Sequence, residues 1–174
     1  MIRCAKENDL PEILRIYEYA RGFMARTGNP NQWTGGHPRE ELLRGDIAKR
    51  QLYVLETETG LHGVFAFIIG DDPTYAVIEQ GAWRSSAPYG TIHRIASDGQ
   101  IHGFLQSAVD FCWQQIPHLR IDTHADNRVM QHLIVKCGFT RCGIIRLENG
   151  DPRIAYEKEG TFVRGKTPSF LEKK

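Results

Sequence analysis

Apolar residues change their spacing several times along the chain, and each change predicts a new element. Residues 10–17 carry apolar side chains at the three- and four-residue spacing of one helix face. Asp9 and Glu12 would form a capping box at the start of that helix. A second helix is expected from Pro38 onward, because proline suits the first helical turn. Residues 51–69 hold two β-branched and aromatic runs divided by a short polar segment, which predicts a hairpin.

The second half of the chain alternates between strand-like and helix-like patterns. Strands are predicted at 90–96, 119–124, 139–147 and 153–157, with a short additional strand at 75–78. Helices are predicted from Ile101 to Pro117 and from Asn127 to Gly138. Strand–helix–strand units imply locally parallel strands, and hairpins imply antiparallel flanks. The predicted fold is an α/β (α+β) domain with a mixed β-sheet flanked by helices. Alternation along 90–96 would place Thr91, His93 and Ile95 on one face.

Length and composition narrow the class of protein without naming a function. The 174 residues suggest one domain, predicted to span 1–158, followed by a polar tail over 159–174. A net charge of +1 gives no general attraction to nucleic acid or to an anionic membrane. No segment resembles a membrane helix or a signal peptide, so a cytoplasmic protein is expected. The four cysteines and seven histidines lack zinc-site spacing, so no metal is expected and the cysteines should be reduced core thiols.

One segment near the C-terminal end carries a specific sequence motif. Residues 127–139 read NRVMQHLIVKCGF. They resemble the N-x-x-A-x-x-L-Y-x-K-x-G-F segment of the GNAT acetyltransferase family, and the matching positions are Asn127, Leu133, Lys136, Gly138 and Phe139. The element order over 1–158 is similar to that of the same family. The resemblance implies an N-acetyltransferase that moves an acetyl (acyl) group from acetyl-CoA to a primary amine of a small molecule or peptide.

The resemblance also implies where acetyl-CoA binds. The family's R/Q-x-x-G-x-G/A turn corresponds to residues 98–103, in which only the last glycine matches. Asp98 would add a negative charge beside the pyrophosphate, but amides at a helix N-terminus bind anions whatever their side chains. Backbone groups near Ile95 would pair with the pantetheine arm in a cleft between two splayed parallel strands. The residues expected to bind acetyl-CoA are Ile95, Ala96, Ser97, Asp98, Gly99, Gln100, Ile101, His102, Gly103, Phe104 and Asn127. Asn127 could instead cap the helix that follows it.

Catalysis requires a base for the acceptor amine and an acid for the leaving thiolate. His93 is the first candidate base, because histidine titrates near neutral pH and His93 lies on the strand that would flank the thioester. Glu79 and His124 are alternatives, and a histidine that is only hydrogen-bonded structurally is a further one. The family often places a tyrosine acid where this chain has Ile134. Either Tyr156 or water would therefore protonate the thiolate.

The acceptor pocket is expected between the first two helices and the loops around them. Gln32, Trp33 and Trp83 are the candidate acceptor-binding residues, although both tryptophans could simply cover the core. The expected partner is an amine of unspecified structure, with no nucleic acid and no membrane, and a homodimer is compatible with the sequence. Two other classes of function stay open: a non-catalytic acyl-CoA-binding or sensory domain, and an interaction module that binds no cofactor. Thiol release and thermal stabilisation by acetyl-CoA would separate the three.

Overall fold

A computed structural model describes residues 1–160, so residues 161–174 of the predicted tail lie outside the described residues. The strands are β1 (Ile2–Cys4), β2 (Leu52–Thr57), β3 (Gly60–Ile69), β4 (Gly90–Ser97), β5 (His118–Thr123), β6 (Thr140–Arg146) and β7 (Pro152–Glu159). The α-helices are α1 (Leu10–Arg26), α2 (Glu40–Ala48), α3 (Phe104–Trp113) and α4 (Arg128–Lys136). No helix within residues 1–160 is long and apolar enough to cross a membrane.

The strands form one mixed sheet, as the sequence predicts. Its seven strands run in the order β1-β2-β3-β4-β5-β7-β6, and β4–β5 is the parallel pair. That pair is short, because residues 90–92 of β4 face 119–121 of β5 and no later residues are paired. β4 continues to Ser97 and β5 to Thr123, so the two strands diverge over their last residues. A cleft therefore opens in the middle of the sheet.

Helices cover both faces of the sheet and pack on separate apolar clusters. α1 and α2 bury Ile13, Tyr17 and Leu43 against one face, where Ala66 of β3 also points. The adjacent side chains of β3 point to the opposite face and pack with α3 and α4. The loop between β3 and β4 covers the rest of the first face, with Tyr75 at its centre. The predicted reduced core cysteines are confirmed in part, since all four are free and Cys4 is half-buried.

A β-bulge interrupts the alternation that the sequence predicts for β4. Val64 of β3 pairs with Ala96 and Ala66 pairs with His93, so two residues of β4 oppose a single residue of β3. Arg94 sits in this bulge with φ 52°, a left-handed conformation that is uncommon for a residue with a side chain. Ile95 consequently packs on the α3–α4 side, and Ala96 faces α1. The expectation that Ile95 shares a face with His93 is therefore wrong.

Four local predictions also differ from the structure. α2 begins at Glu40 rather than Pro38, and α3 begins at Phe104, after a turn that occupies 99–103. The predicted strand at 75–78 is replaced by a 3-10 turn at Pro73–Tyr75. Asp9 does not cap α1, because its carboxylate pairs with Arg3 and accepts a hydrogen bond from the Lys6 amide. Glu12 accepts a hydrogen bond from the Leu61 amide instead of completing a capping box. In the last two cases tertiary contacts replace the local bonds that the sequence favours.

Candidate active site

A cavity of about 1060 Å³ opens where β4 and β5 diverge. Most of the predicted site residues line it, namely Gln32, Trp33, His93, Ile95, Ala96, Ser97, Gly99, Ile101, His102, Gly103, Phe104 and Asn127. Asp98, Gln100, Trp83 and Tyr156 are not among the lining residues. The structure thus brings together residues from the α1–α2 loop, β4, the turn after β4 and the start of α4.

The Asp98 side chain points into the protein and shapes the turn after β4. Oδ2 of Asp98 lies 2.9 Å from Nδ1 of His62, and Oδ1 accepts a hydrogen bond from the Gln100 amide at 3.1 Å. Arg15 adds an ion pair at 3.6 Å. With the residue 4% exposed, its charge is neutralised inside the fold rather than presented to the cavity. The repulsion expected from the sequence therefore has no structural basis.

The turn that Asp98 supports presents backbone donors to the cavity. The Asp98 amide donates to the His62 carbonyl, and the Gln100 amide donates to the Asp98 carboxylate. The other amides of this turn and of the first turn of α3 bond to none of residues 1–160, namely those of Gly99, Ile101, His102, Gly103, Phe104, Leu105 and Gln106. Gly103 has φ 76°, and a β-carbon there would meet no atom within 4 Å. Open space beside unpaired N–H groups at a helix N-terminus suits a phosphate group.

A hydrogen bond between Asn127 and Gln32 connects the residue before α4 to the loop between α1 and α2. The side chain of Asn127 caps α4, since its Oδ1 accepts a hydrogen bond from the Met130 amide at 3.1 Å. Its Nδ2 donates to Oε1 of Gln32 at 2.8 Å, and Nδ2 of Asn29 donates to the same oxygen at 2.8 Å. The amide oxygens of both side chains are thus used inside the protein. The capping role predicted for Asn127 is therefore confirmed, and its contact with pantetheine stays a prediction.

His93 lies between two carboxylates at the wall of the cavity. Its Nε2 is 2.6 Å from Oδ2 of Asp72, and its Nδ1 is 4.0 Å from Oδ2 of Asp122. Burial raises the pKa of Asp72, but hydrogen bonds from His93 and Thr74 outweigh burial and lower that pKa to about 2. Asp72 is therefore ionised at neutral pH and accepts a hydrogen bond from Nε2–H, which leaves Nδ1 as the unprotonated nitrogen of the neutral ring.

Tyr75 fixes the second carboxylate. Its hydroxyl donates to Oδ2 of Asp122 at 2.6 Å. Burial and the nearby Asp122 raise the pKa of Tyr75 well above its usual value, so the phenol stays protonated and continues to donate. Thr74 donates a hydrogen bond to Asp72 and Tyr75 donates one to Asp122, so both carboxylates beside His93 are fixed by side chains of the β3–β4 loop.

Trp83 and Tyr156, the two predicted residues outside the turn after β4 that miss the cavity, have structural contacts. The Trp83 ring stacks on the Arg120 guanidinium at 3.9 Å, and its Nε1 donates to the Tyr75 carbonyl at 2.9 Å. Tyr156 lies in the core on the other face of the sheet, opposite Ile121, and burial raises its pKa. Trp83 therefore covers the core, and Tyr156 is not placed to reach a ligand in the cavity.

Asp72, Asp122 and Arg153 line the cavity although none was predicted as a site residue. Asp72 follows a predicted strand and precedes a proline, a position that is common in turns, so its place in the sequence gives no sign of a role in the site. A signal was present for Asp122 and Arg153, since each is a charged residue next to an isoleucine within a predicted strand. Within residues 1–160, no group of His, Cys, Asp and Glu could hold a metal ion.

Comparison with solved structures identifies relatives of this chain. A GNAT-family acetyltransferase from Streptococcus agalactiae is 32% identical, with a TM-score of 0.83 over 92% of this chain and 95% of that one. A GNAT-family acetyltransferase from Listeria monocytogenes is 20% identical, with a TM-score of 0.68 over 92% and 94%. The ribosomal-protein-S18-alanine N-acetyltransferase from Escherichia coli is 15% identical, with a TM-score of 0.59 over 96% and 99%. The last two share the fold alone.

No protein-family model and no curated protein matches the sequence. The Streptococcus agalactiae relative is nevertheless similar in sequence as well as in fold, across nearly the full length of both chains. The chain therefore belongs to the GNAT family of acetyltransferases.

Proposed function

We propose that this protein transfers the acetyl group of acetyl-CoA to the primary amine of a small molecule or peptide, with His93 as the base. The observation that carries the proposal is the position of His93. It lies at the wall of the cavity between diverging parallel strands, with one ring nitrogen bound to an ionised Asp72 and the other directed towards Asp122. A histidine held in one tautomer beside an open cavity suits proton transfer.

The turn after β4 supports acetyl-CoA as the acyl donor. The unpaired amides between Gly99 and Phe104 would hold the pyrophosphate, and this part of the cavity lacks the Asp98 charge. The edge of β4 beyond Ile92 is not paired with β5, so its backbone groups are available to the pantetheine arm, except the Arg94 carbonyl, which accepts a hydrogen bond from the Tyr17 hydroxyl at 2.8 Å. Bound acetyl-CoA supplies the activated carbonyl carbon, and these residues bind and orient it.

In the reaction, the acceptor's neutral amine attacks the thioester carbon, a C–N bond forms and the C–S bond breaks. Nδ1 of His93 takes the amine proton, directly or through one water molecule, and Asp72 stabilises the imidazolium that results. Asp122 orients the amine beside Nδ1. A backbone N–H of β4 near Ile95 would stabilise the developing oxyanion. Water rather than Tyr156 would protonate the thiolate, since Tyr156 does not line the cavity.

Thiol release from acetyl-CoA across a panel of amines tests the proposal. His93→Gln should lower kcat by about 10²–10⁴-fold, the usual contribution of a general base. Asp72→Asn should lower it as well, because the amide can stabilise the wrong tautomer of His93. His124→Gln is the matched control and should retain activity, since His124 does not line the cavity. Tyr156→Phe should also retain turnover.

Thermal unfolding with acetyl-CoA distinguishes the alternatives. A ligand at a hundredfold excess over its dissociation constant adds about 2.7 kcal/mol to the stability of the native state. Stabilisation by acetyl-CoA without thiol release from any amine would indicate an acyl-CoA-binding domain. No stabilisation would indicate an interaction module, and either result would refute the proposed reaction.

A further inference from the structure

Arg153 is a buried cation at the wall of the cavity. It lies on β7 and is 5% exposed. Its guanidinium donates to two backbone carbonyls, that of Pro152 at 2.9 Å and that of Gln32 at 3.2 Å. Within residues 1–160 it forms an ion pair with no carboxylate, whereas two comparable arginines do. Arg120 pairs with Glu157 at 3.0 Å, and Arg94 pairs with Asp46 at 2.6 Å.

The surroundings of Arg153 favour an anion from outside the chain. Taking a guanidinium out of water is unfavourable unless an anion compensates for the lost hydration. Burial lowers the pKa of Arg153, and the more distant Asp122 and Asp151 only partly offset this effect. Burial likewise lowers the pKa of His37, and Arg94 and Arg153 add to the decrease. The guanidinium groups of Arg94 and Arg153 therefore disfavour a further positive charge on His37.

The opposite charge lies nearby, beside the catalytic histidine. Asp122 is close enough to raise the pKa of Arg153 but does not form an ion pair with it. Its carboxylate is held by Tyr75 and directed towards His93. One wall of the cavity thus offers a carboxylate next to the base, and another offers a guanidinium. A molecule with an amine at one end and a carboxylate at the other would match both charges.

We infer that the acceptor is an α-amino acid, and that Arg153 binds its carboxylate while the amine lies between Asp122 and His93. This inference rests on the proposed function. The amine nitrogen forms the new bond to the acetyl carbon, its proton passes to His93, and the thiolate of CoA leaves and is protonated by water. The carboxylate is unchanged, so the products are an N-acetyl amino acid and free CoA. Arginine suits this role because its planar fork can donate two hydrogen bonds to one carboxylate.

Matched pairs of acceptors test the inference on the full chain. Thiol release is measured with free amino acids and with their primary amides, which keep the amine and side chain but lack the carboxylate. A hydrogen bond to a charged group contributes about 1.5–3 kcal/mol, so the KM of an amide should exceed that of the acid by about 10–100-fold. Arg153→Gln should raise the KM of the acid by a similar factor and leave that of the amide nearly unchanged. The ratio of the KM of the amide to the KM of the acid is compared between wild type and Arg153→Gln. The difference in amine basicity between acid and amide is the same for both proteins and cancels.

Two controls separate binding from folding. Arg153→Gln should retain the thermal stabilisation by acetyl-CoA, and Arg153→Lys should restore part of the affinity for the acid. Arg146→Gln removes an arginine from β6 that pairs with Glu79 at 2.9 Å outside the cavity, and should leave all KM values unchanged.

The possible results are distinct. Turnover of amides or of carboxylate-free amines as efficient as that of amino acids overturns the inference and leaves the proposed function intact. An equal effect of Arg153→Gln on acid and amide also overturns it. If no amine releases thiol, the proposed function fails, and this inference fails with it.

Discussion

Removal of the Asp98 carboxylate should weaken acetyl-CoA binding, although it removes a negative charge from the region proposed to bind an anion. Asp98→Ala deprives the His62 ring nitrogen and the Gln100 amide of their buried acceptor. A buried polar group left without a partner costs about 1–3 kcal/mol. The free energy of unfolding should fall by that amount, which corresponds to a decrease in Tm of about 3–10 °C for a domain of this size.

The part of this cost that the unliganded variant avoids by relaxing the turn should appear in the affinity, because the side chain holds the turn whose amides are proposed to bind the pyrophosphate. If the cost of about 1–3 kcal/mol is expressed in binding, the Kd of acetyl-CoA rises by about 5–150-fold. If only the charge of Asp98 mattered, Asp98→Ala would instead lower the Kd of acetyl-CoA. Removing a unit charge about 10 Å from the ligand in water would improve binding by about 0.4 kcal/mol, or twofold.

Isothermal titration with acetyl-CoA measures this difference, and thermal unfolding of the unliganded variant reports the change in stability. Asp126→Asn is the control, because it removes an exposed carboxylate just before α4 without removing the acceptor of a buried donor. Its Kd should stay within about twofold of the wild-type value. Tighter binding by Asp98→Ala would refute the structural role assigned to Asp98.

Glu157 provides two further predictions, both measured by urea unfolding. It is 1% exposed and bonded to His118 and Arg120, so Glu157→Ala should lower the free energy of unfolding by about 3–5 kcal/mol. Glu159→Ala removes only an exposed ion pair with Arg84 and should change the free energy of unfolding by less than about 1 kcal/mol. Equal losses of stability in the two variants would contradict the reasoning. Burial raises the pKa of Glu157, but hydrogen bonds from His118, the Arg84 amide and Arg120 lower it below its ordinary value of 4.5. The difference in free energy of unfolding between wild type and Glu157→Ala should therefore be largest above about pH 4.5 and should decrease as the pH falls further. A constant difference down to about pH 3 would show that it does not arise from the ionised carboxylate.

Local signals in the sequence were sufficient for the sheet and for much of the cavity wall. The motif at 127–139 marks α4 and the turn after it, and Gly138 has the left-handed backbone expected at a helix end, with φ 86°. His93 was predicted from its strand, and its place beside the cavity follows from the position of β4 at the centre of the sheet. These features depend on neighbours in sequence, so patterns and spacing could indicate them.

The remaining features depend on partners distant in sequence. Asp72 meets His93 although the two are 21 positions apart in the sequence, and Asp98 turns away from the cavity because His62 lies beside it on the neighbouring strand. The bulge at Arg94 shifts the faces of Ile95 and Ala96, and no residue type in the segment requires a left-handed conformation there. Charge and periodicity alone could not predict these contacts, because each is decided by tertiary packing.

The separation of the two apolar clusters bears on how the scaffold could be altered in the laboratory or by natural selection. Side chains of α1 and α2 pack against one face of the sheet, while α3 and α4 pack on the other. The turn proposed to hold the pyrophosphate begins α3, whereas Gln32 and Trp33 lie between α1 and α2. Tyr19 is the residue of α1 that lies against Gly99 of that turn. A mutant library confined to residues 20–37 could therefore change the accepted amine while the packing behind the acyl donor is retained. Asn127 is where the two regions meet, through its hydrogen bond to Gln32, so these two positions are best varied together.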